Sequence, residues 1–168
     1  MSLEAIAVAP TTGTKPAGLI VVLHGWGANA EDLASLVPLL NLTEYQFLFP
    51  NAPFPHPYTS VGRMWYDLSS QEYKGVSESR QILKDWLLSL ENETGVPLAK
   101  TILTGFSQGA AMTLDVGLGL PLAGLIALSG YMHPLSQPLD EVPPVLIVHG
   151  KQDTVVPLKA AQYARDNL

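Results

Sequence analysis

The sequence predicts an α/β protein with a mostly parallel sheet and helices on both faces. Its strand-type runs, such as Leu19–Leu23 and Val145–Val148, are apolar without alternation. Continuous apolar runs are typical of strands that are buried on both sides. Amphipathic helical patterns separate these runs along the chain, as in βαβ units. In this architecture, functional sites form at the carboxyl ends of the strands.

The first half of the chain begins with an edge strand predicted over residues 3–8. The buried strand Leu19–Leu23 follows and is stopped by His24-Gly25. A helix is expected over residues 31–40, with Pro38 as a flaw inside its apolar pattern. Residues 47–49 form the next strand, which Pro50 ends. Residues 50–75 are rich in Pro, Ser, Gly and Tyr and are predicted to form a long loop of functional importance.

The second half repeats the strand and helix pattern. Ser77 is the predicted N-cap of a helix that runs to about Leu90, with Gly95 and Pro97 beyond its end. The remaining strands are predicted over residues 101–104, 125–128 and 145–148, and the remaining helices over 108–118 and 158–168. No internal repeat or domain boundary interrupts this order, so the 168 residues are expected to form a single domain.

The composition excludes several classes of function. Apolar residues make up 47% of the chain and charged residues 14%, which is a globular composition. A net charge of −6 without a basic run argues against a nucleic-acid partner. The chain has no cysteine, which excludes disulfides and thiolate sites. We find no signal-peptide pattern and no apolar run long enough to span a membrane, and so expect a cytoplasmic protein.

The strongest chemical motif is Gly105-Phe106-Ser107-Gln108-Gly109, which follows a predicted strand and opens a helix. This is the G-x-S-x-G pattern in the context that it requires. The sharp turn lifts the serine above the sheet edge and directs the start of the helix at a developing oxyanion. The alternative is a glycine-rich turn with an incidental serine. The surrounding small residues favour Ser107 as a nucleophile.

A second motif, His24-Gly25-Trp26-Gly27, ends the first buried strand. Acyl transfer needs two backbone N–H groups that point at the oxyanion, one from the residue after the nucleophile and one from an early glycine-rich loop. The expected donors are therefore the backbone N–H groups of Gln108 and Trp26. His24 is a possible general base, but a role in stabilising the turn is favoured, since this base normally follows the acid in the chain.

The third motif is His149-Gly150-Lys151-Gln152-Asp153, after the last apolar strand. A loop after a late strand carries the acid of a Ser–Asp–His triad in this architecture, which makes Asp153 the candidate acid. The alternative is an aspartate that serves only the turn. His149 is interpreted as structural.

Together these motifs resemble the phospholipase/carboxylesterase family of α/β-hydrolases, which includes acyl-protein thioesterases and small bacterial carboxylesterases. The resemblance rests on blocks that occur in the family's order from residue 19 to 157: LHGWG, FPNAP, MWYD, GFSQGAAM, LSGY and HGKQDTVVP. It implies the α/β-hydrolase fold and hydrolysis of carboxylic esters or thioesters without a metal or other cofactor. It also implies Ser107 and Asp153 as catalytic residues, with the N–H groups of Trp26 and Gln108 as the oxyanion hole. The family more often has an aliphatic residue at position 26, a change that keeps the N–H donor.

The chain departs from the family in its general base. The family's histidine lies in a Gly-His motif about 30 residues after the acid, whereas this sequence has 15 residues after Asp153. We therefore expect the last strand, the histidine loop and the closing helix to be missing from residues 1–168. His56 and His133 lie on loops that could approach the site, although neither follows the acid.

The sequence thus predicts a serine carboxylesterase or thioesterase that acts through an acyl-enzyme. The expected partner is a small-molecule or lipid-like acyl ester, and the oligomeric state is left open. The alternative is a non-catalytic binding module that keeps the fold without the base.

Overall fold

A computed structural model of the chain describes residues 3–135 and 141–168. The main sheet has six strands in the order β1-β3-β2-β6-β7-β8. Only β1 is antiparallel, to β3, and the other neighbours are parallel. The predicted mostly parallel sheet is therefore confirmed. The strands are β1 (Ala5–Val8), β2 (Leu19–Leu23), β3 (Gln46–Pro50), β6 (Thr101–Phe106), β7 (Gly124–Leu128) and β8 (Val145–Val148).

The sheet separates two hydrophobic clusters, which explains the unbroken apolar runs. Along β2, Leu19, Val21 and Leu23 belong to the larger cluster. The alternate residue Ile20 belongs to a smaller cluster, against which Val22 packs. Successive side chains of a strand point to opposite faces, so β2 contributes to both cores.

Five helices cover the sheet within the described part of the chain: α1 (Ala30–Ala34), α2 (Val37–Leu40), α3 (Val76–Thr94), α4 (Gln108–Gly117) and α5 (Leu158–Asn167). Side chains of α3, α4 and α5 join the larger cluster, and those of α1 and α2 pack on the smaller one. A single 3-10 turn, Leu98–Lys100, leads into β6. The prediction of helices on both faces is confirmed.

Two helix predictions need correction. The expected helix over 31–40 is two short helices, because Pro38 lies in the first turn of α2, where a residue without an N–H is tolerated. Ser77 is not an N-cap, since α3 already begins at Val76 after Gly75, whose φ is 95°. The same helix extends to Thr94, where the left-handed backbone of Gly95 ends it.

The predicted loop 50–75 contains a small hairpin of β4 (Phe54–Pro55) and β5 (Arg63–Met64). The hairpin follows β3 and leads towards α3, so it lies in the part of the chain that crosses the carboxyl end of the sheet. A second loop is expected over residues 131–143, and it falls partly outside the described residues. No helix among residues 3–135 and 141–168 is both long and apolar enough to cross a membrane.

Candidate active site

Ser107 lies between β6 and α4 with a backbone that few residues adopt. Its φ is 53° and its ψ is −114°, which is strained for a residue with a side chain. The flanking glycines permit the turn. A Cβ on Gly105 would lie 2.2 Å from the carbonyl oxygen of Gly109. A Cβ on Gly109 would lie 2.3 Å from the carbonyl oxygen of Leu23. The predicted sharp strand-to-helix turn is thus present at the predicted serine.

Gly109→Val is expected to unfold or inactivate the protein. The new side chain would meet backbone oxygens of Leu23 and His24, which cannot rotate away, so α4 would have to leave the end of β2. Overpacking with backbone displacement costs about 1–3 kcal/mol and occasionally more, which is a large part of a typical stability of about 5–15 kcal/mol. Thermal unfolding followed by circular dichroism measures the effect. The matched control is Gly119→Val, because a Cβ at Gly119 has nothing closer than 4.0 Å. Equal melting temperatures for the two variants would contradict the close approach of α4 and β2.

The loop after β2 lies directly beside the serine. A Cβ on Gly25 would be 3.5 Å from the Cβ of Ser107 and 3.4 Å from the carbonyl oxygen of Phe106. His24 holds this loop through both ring nitrogens. Its Nδ1–H donates to the carbonyl oxygen of Gly25 at 2.8 Å, and its Nε2 accepts the N–H of Ala52 at 3.0 Å. Burial lowers the pKa of His24, so the neutral ring that these two bonds need is favoured. These contacts support the structural interpretation of His24.

The two predicted oxyanion donors have unused N–H groups. Within the described residues, neither the N–H of Trp26 nor that of Gln108 donates to a backbone carbonyl, although the next N–H groups of the early loop do. Gly27 donates to Arg63 and Ala28 donates to Gly25. The N–H of Gln108 stands at the start of α4, where helical N–H groups have no partner within the helix. Neither N–H group is therefore committed to a backbone carbonyl in the described part of the chain.

Arg63 holds the early loop in place, and the motifs did not single it out. Its N–H donates to the carbonyl oxygen of Ala28 at 2.8 Å, and its carbonyl oxygen accepts the N–H of Gly27 at 2.9 Å. Its guanidinium donates to the carbonyl oxygens of Ala52 and Pro53. In the sequence, Arg63 stands out only as an arginine in a loop with few other charges, which is a weak indication of its role.

Asp153 lies on the loop after β8, two strands away from β6. One carboxylate oxygen accepts the N–H groups of Val155 and Val156, both at 2.9 Å. These two bonds, that of Val156 first, lower the pKa of Asp153 below its usual range. The other oxygen lies 3.7 Å from Nε2 of His149, and the side chain is 19% exposed. Asp153 is thus an ionised carboxylate with one oxygen still able to accept a strong hydrogen bond.

None of the four histidines contacts Ser107 through a hydrogen bond in the described chain. His149 donates Nε2–H to the carbonyl oxygen of Val156 at 2.7 Å. His133 binds the buried carboxylate of Asp115 at 2.8 Å, which Arg80 also contacts at 2.9 Å. His56 packs edge to face with Trp26, with ring centroids 4.2 Å apart, and its Nδ1 accepts the N–H of Tyr58. Each of these three rings thus binds or packs on a group other than Ser107.

Comparison with known proteins gives a consistent result. The family model described as Phospholipase/Carboxylesterase matches residues 4–168. An acyl-protein thioesterase 1 of Neurospora crassa is 31% identical over 96% of this chain and 75% of the relative. Another from Candida albicans is 31% identical over 78% of this chain, and the match covers 64% of the relative's length.

Solved structures agree with the sequence matches. The crystal structure of esterase PE8 superposes with a TM-score of 0.87 and 32% identity, over 99% of this chain and 83% of that one. The Bacillus cereus carboxylesterase, at 15% identity, shares the fold with a TM-score of 0.80, over 98% of this chain and 78% of that one. These findings confirm the predicted α/β-hydrolase fold and the predicted class of serine ester hydrolase. The chain belongs to the phospholipase/carboxylesterase family.

Proposed function

We propose that this protein hydrolyses carboxylic esters or thioesters through an acyl-enzyme on Ser107. The observation that carries the proposal is the strained Ser107 at the start of α4, beside two unused backbone N–H groups. The hydroxyl oxygen of Ser107 attacks the acyl carbon, and its proton passes to a histidine base. The histidine returns the proton to the leaving alcohol or thiol, and water then releases the acid by the same route.

The N–H groups of Trp26 and Gln108 are the proposed oxyanion hole. Gln108 follows Ser107 in the chain, and Gly25, the residue before Trp26, lies beside Ser107, which supports this role. Such donors are strongest when they are fixed before the reaction begins. Asp153 is the proposed acid. Its low pKa keeps it ionised at neutral pH, and its free oxygen can orient an imidazole and stabilise the imidazolium.

We propose that none of the four histidines in residues 1–168 is the general base. The contacts of His24, His56, His133 and His149 support this view, since each ring packs on or binds a group other than Ser107. We propose that the base is a histidine outside residues 1–168, on a loop that brings it between Asp153 and Ser107. Without it, the Ser107 hydroxyl keeps a high pKa and is a weak nucleophile.

The proposed substrate is an acyl ester with a small or lipid-like acyl group. Two relatives are named acyl-protein thioesterase 1, which supports an acyl thioester or ester as substrate. A cluster of aromatic rings also supports an apolar acyl group. The rings of His56 and Tyr58 pack against the indole of Trp26, the residue whose backbone N–H is the proposed oxyanion donor. A cytoplasmic location is likewise a proposal, and cell fractionation tests it. The non-catalytic binding module is not favoured, because a module without chemistry has no use for a strained serine at this turn.

Labelling with a fluorophosphonate tests the nucleophile. Such a probe phosphonylates an activated serine with loss of fluoride, so the full-length protein should be labelled at Ser107 and at no other residue. Peptide mass spectrometry locates the label. Ser107→Ala should remove it, whereas Ser129→Ala should keep it, because Ser129 is another serine at a strand end with a positive φ. Equal labelling of wild type and Ser107→Ala would contradict the assignment.

A further inference from the structure

The two proposed oxyanion donors belong to loops that are far apart in the sequence. Residue 26 follows β2 and residue 108 opens α4, so their relative position depends on whatever joins these two loops. Strands β2 and β6 pair directly, and two buried side chains, those of Trp65 and Gln108, add hydrogen bonds that link the segments after these strands. We propose that they are positioning residues, which set the separation and direction of the two N–H groups. This inference rests on the proposed oxyanion hole.

The first half of the connection is the side-chain amide of Gln108. Its Oε1 accepts the backbone N–H of Trp65 at 2.9 Å, and its Nε2 donates to the carbonyl oxygen of Tyr66 at 2.7 Å. An amide that pairs with both a donor and an acceptor of one backbone segment has little freedom to rotate or slide. The first residue of α4 is thereby fixed to residues 65–66. The side chain is fully buried, so it cannot act by touching substrate.

The second half is the indole of Trp65. Its Nε1–H donates to the carbonyl oxygen of His24 at 3.0 Å, two residues before the donor Trp26. The carbonyl oxygen of Trp65 also accepts a hydrogen bond from the hydroxyl of Ser79, which ties the residue to α3. One residue thus binds the early loop with its side chain and the nucleophile helix with its backbone. Trp65 is also fully buried, and the rings of His24 and Trp65 lie 5.7 Å apart.

Displacing either N–H donor should destabilise the transition state more than the bound substrate. The oxyanion forms only after Ser107 attacks, so a displaced donor weakens binding of the tetrahedral species and leaves binding of the planar ester almost unchanged. A misplacement of about 1 Å can lower a rate by about 100-fold. The loss should therefore fall on kcat, with little effect on KM.

Trp65→Phe in the full-length protein tests the connection. A phenyl ring is kept, but the indole N–H to His24 is lost together with the five-membered ring. The control below makes the same change in volume at another buried tryptophan. We expect kcat for p-nitrophenyl acetate to fall about 10- to 100-fold, with KM within about threefold. Trp86→Phe is the matched control, because Trp86 is a buried tryptophan of α3 whose indole makes no hydrogen bond to another described residue. Its kcat should stay within about threefold of wild type. Gln108→Met, which keeps the backbone N–H and removes the amide, should resemble Trp65→Phe.

A transition-state analogue separates positioning from general damage. A trifluoromethyl ketone adds to the serine and places an oxyanion in the hole, whereas the matching methyl ketone does not form a stable adduct. In both test variants the inhibition constant of the trifluoromethyl ketone should rise in step with the loss of kcat/KM. That of the methyl ketone should not change. If Trp65→Phe does not fold, the kcat and the two inhibition constants of Gln108→Met test the inference.

Two results would overturn the inference. One is a kcat within about threefold of the Trp86→Phe control in the folded test variants. The other is an equal loss of affinity for both ketones, which would indicate a disturbed pocket. If the wild-type protein showed no ester hydrolysis, or hydrolysis that Ser107→Ala did not remove, the proposed function itself would be contradicted.

Discussion

Asp153→Asn in the full-length protein is expected to lower kcat by about 10⁴-fold, with the fold intact. Asn keeps a carbonyl oxygen for the N–H groups of Val155 and Val156, so the loop after β8 should be retained. It replaces the second carboxylate oxygen with an NH₂ group, which cannot accept a hydrogen bond from the base. The imidazole then adopts the wrong tautomer and loses the negative charge that stabilises its protonated form.

The measurement is the steady-state rate with p-nitrophenyl acetate, with circular dichroism to confirm folding. Asp166→Asn is the matched control, because Asp166 is an exposed aspartate of α5 that pairs only with its neighbour Arg165. Its kcat should stay within about threefold of wild type. If Asp153→Asn lost less than about tenfold, another group would orient the base, and Asp153 would serve only the turn.

Most of the sheet could be predicted from the sequence, because burial on two faces leaves a direct signal. The runs Leu19–Leu23 and Val145–Val148 are strands at the predicted bounds. Strand β6 extends two residues beyond its predicted end, since Phe106 still pairs with Leu128 of the neighbouring strand. Pairing depends on the neighbour and is not visible in a single run. The ends of α3 were also missed, because they are set by left-handed backbone at Gly75 and Gly95 and not by the serine pattern.

The candidate site was predictable only in part. The glycines around Ser107 predicted the turn, since any side chain there meets backbone atoms. The contacts of Trp65 and Gln108 were not predictable, because they join residues 43 positions apart through hydrogen bonds that have no sequence spacing. Tyr66 and Tyr131 share a hydrogen bond of 2.6 Å across 65 positions for the same reason. Burial raises the pKa of Tyr131 to about 12, which keeps its hydroxyl protonated.

The outer strand β8 has an open edge and exposed apolar side chains. Leu146 is 54% exposed and Val148 is 49% exposed, while Val145 and Ile147 pack against the main core. Phe106 of β6, which is two strands away from β8, is 50% exposed as well. In the described chain β8 pairs only with β7, so its other edge has free N–H and C=O groups. An open parallel edge with apolar side chains is a site for association with other chains.

Residues 1–168 expressed alone are therefore expected to self-associate and to hydrolyse p-nitrophenyl acetate at most slightly above background. A form of the protein extended beyond Leu168 by a Gly-His segment should not aggregate and should turn over at about 1–10³ per second. The difference in rate follows from the base, since an oxyanion hole without it keeps only a small part of triad catalysis. Size-exclusion chromatography and circular dichroism set equal folded concentrations, so that aggregation is not counted as lost chemistry. A monomeric and fully active 168-residue chain would show that one of His24, His56, His133 or His149 is the base, and single substitutions to Gln would then identify it.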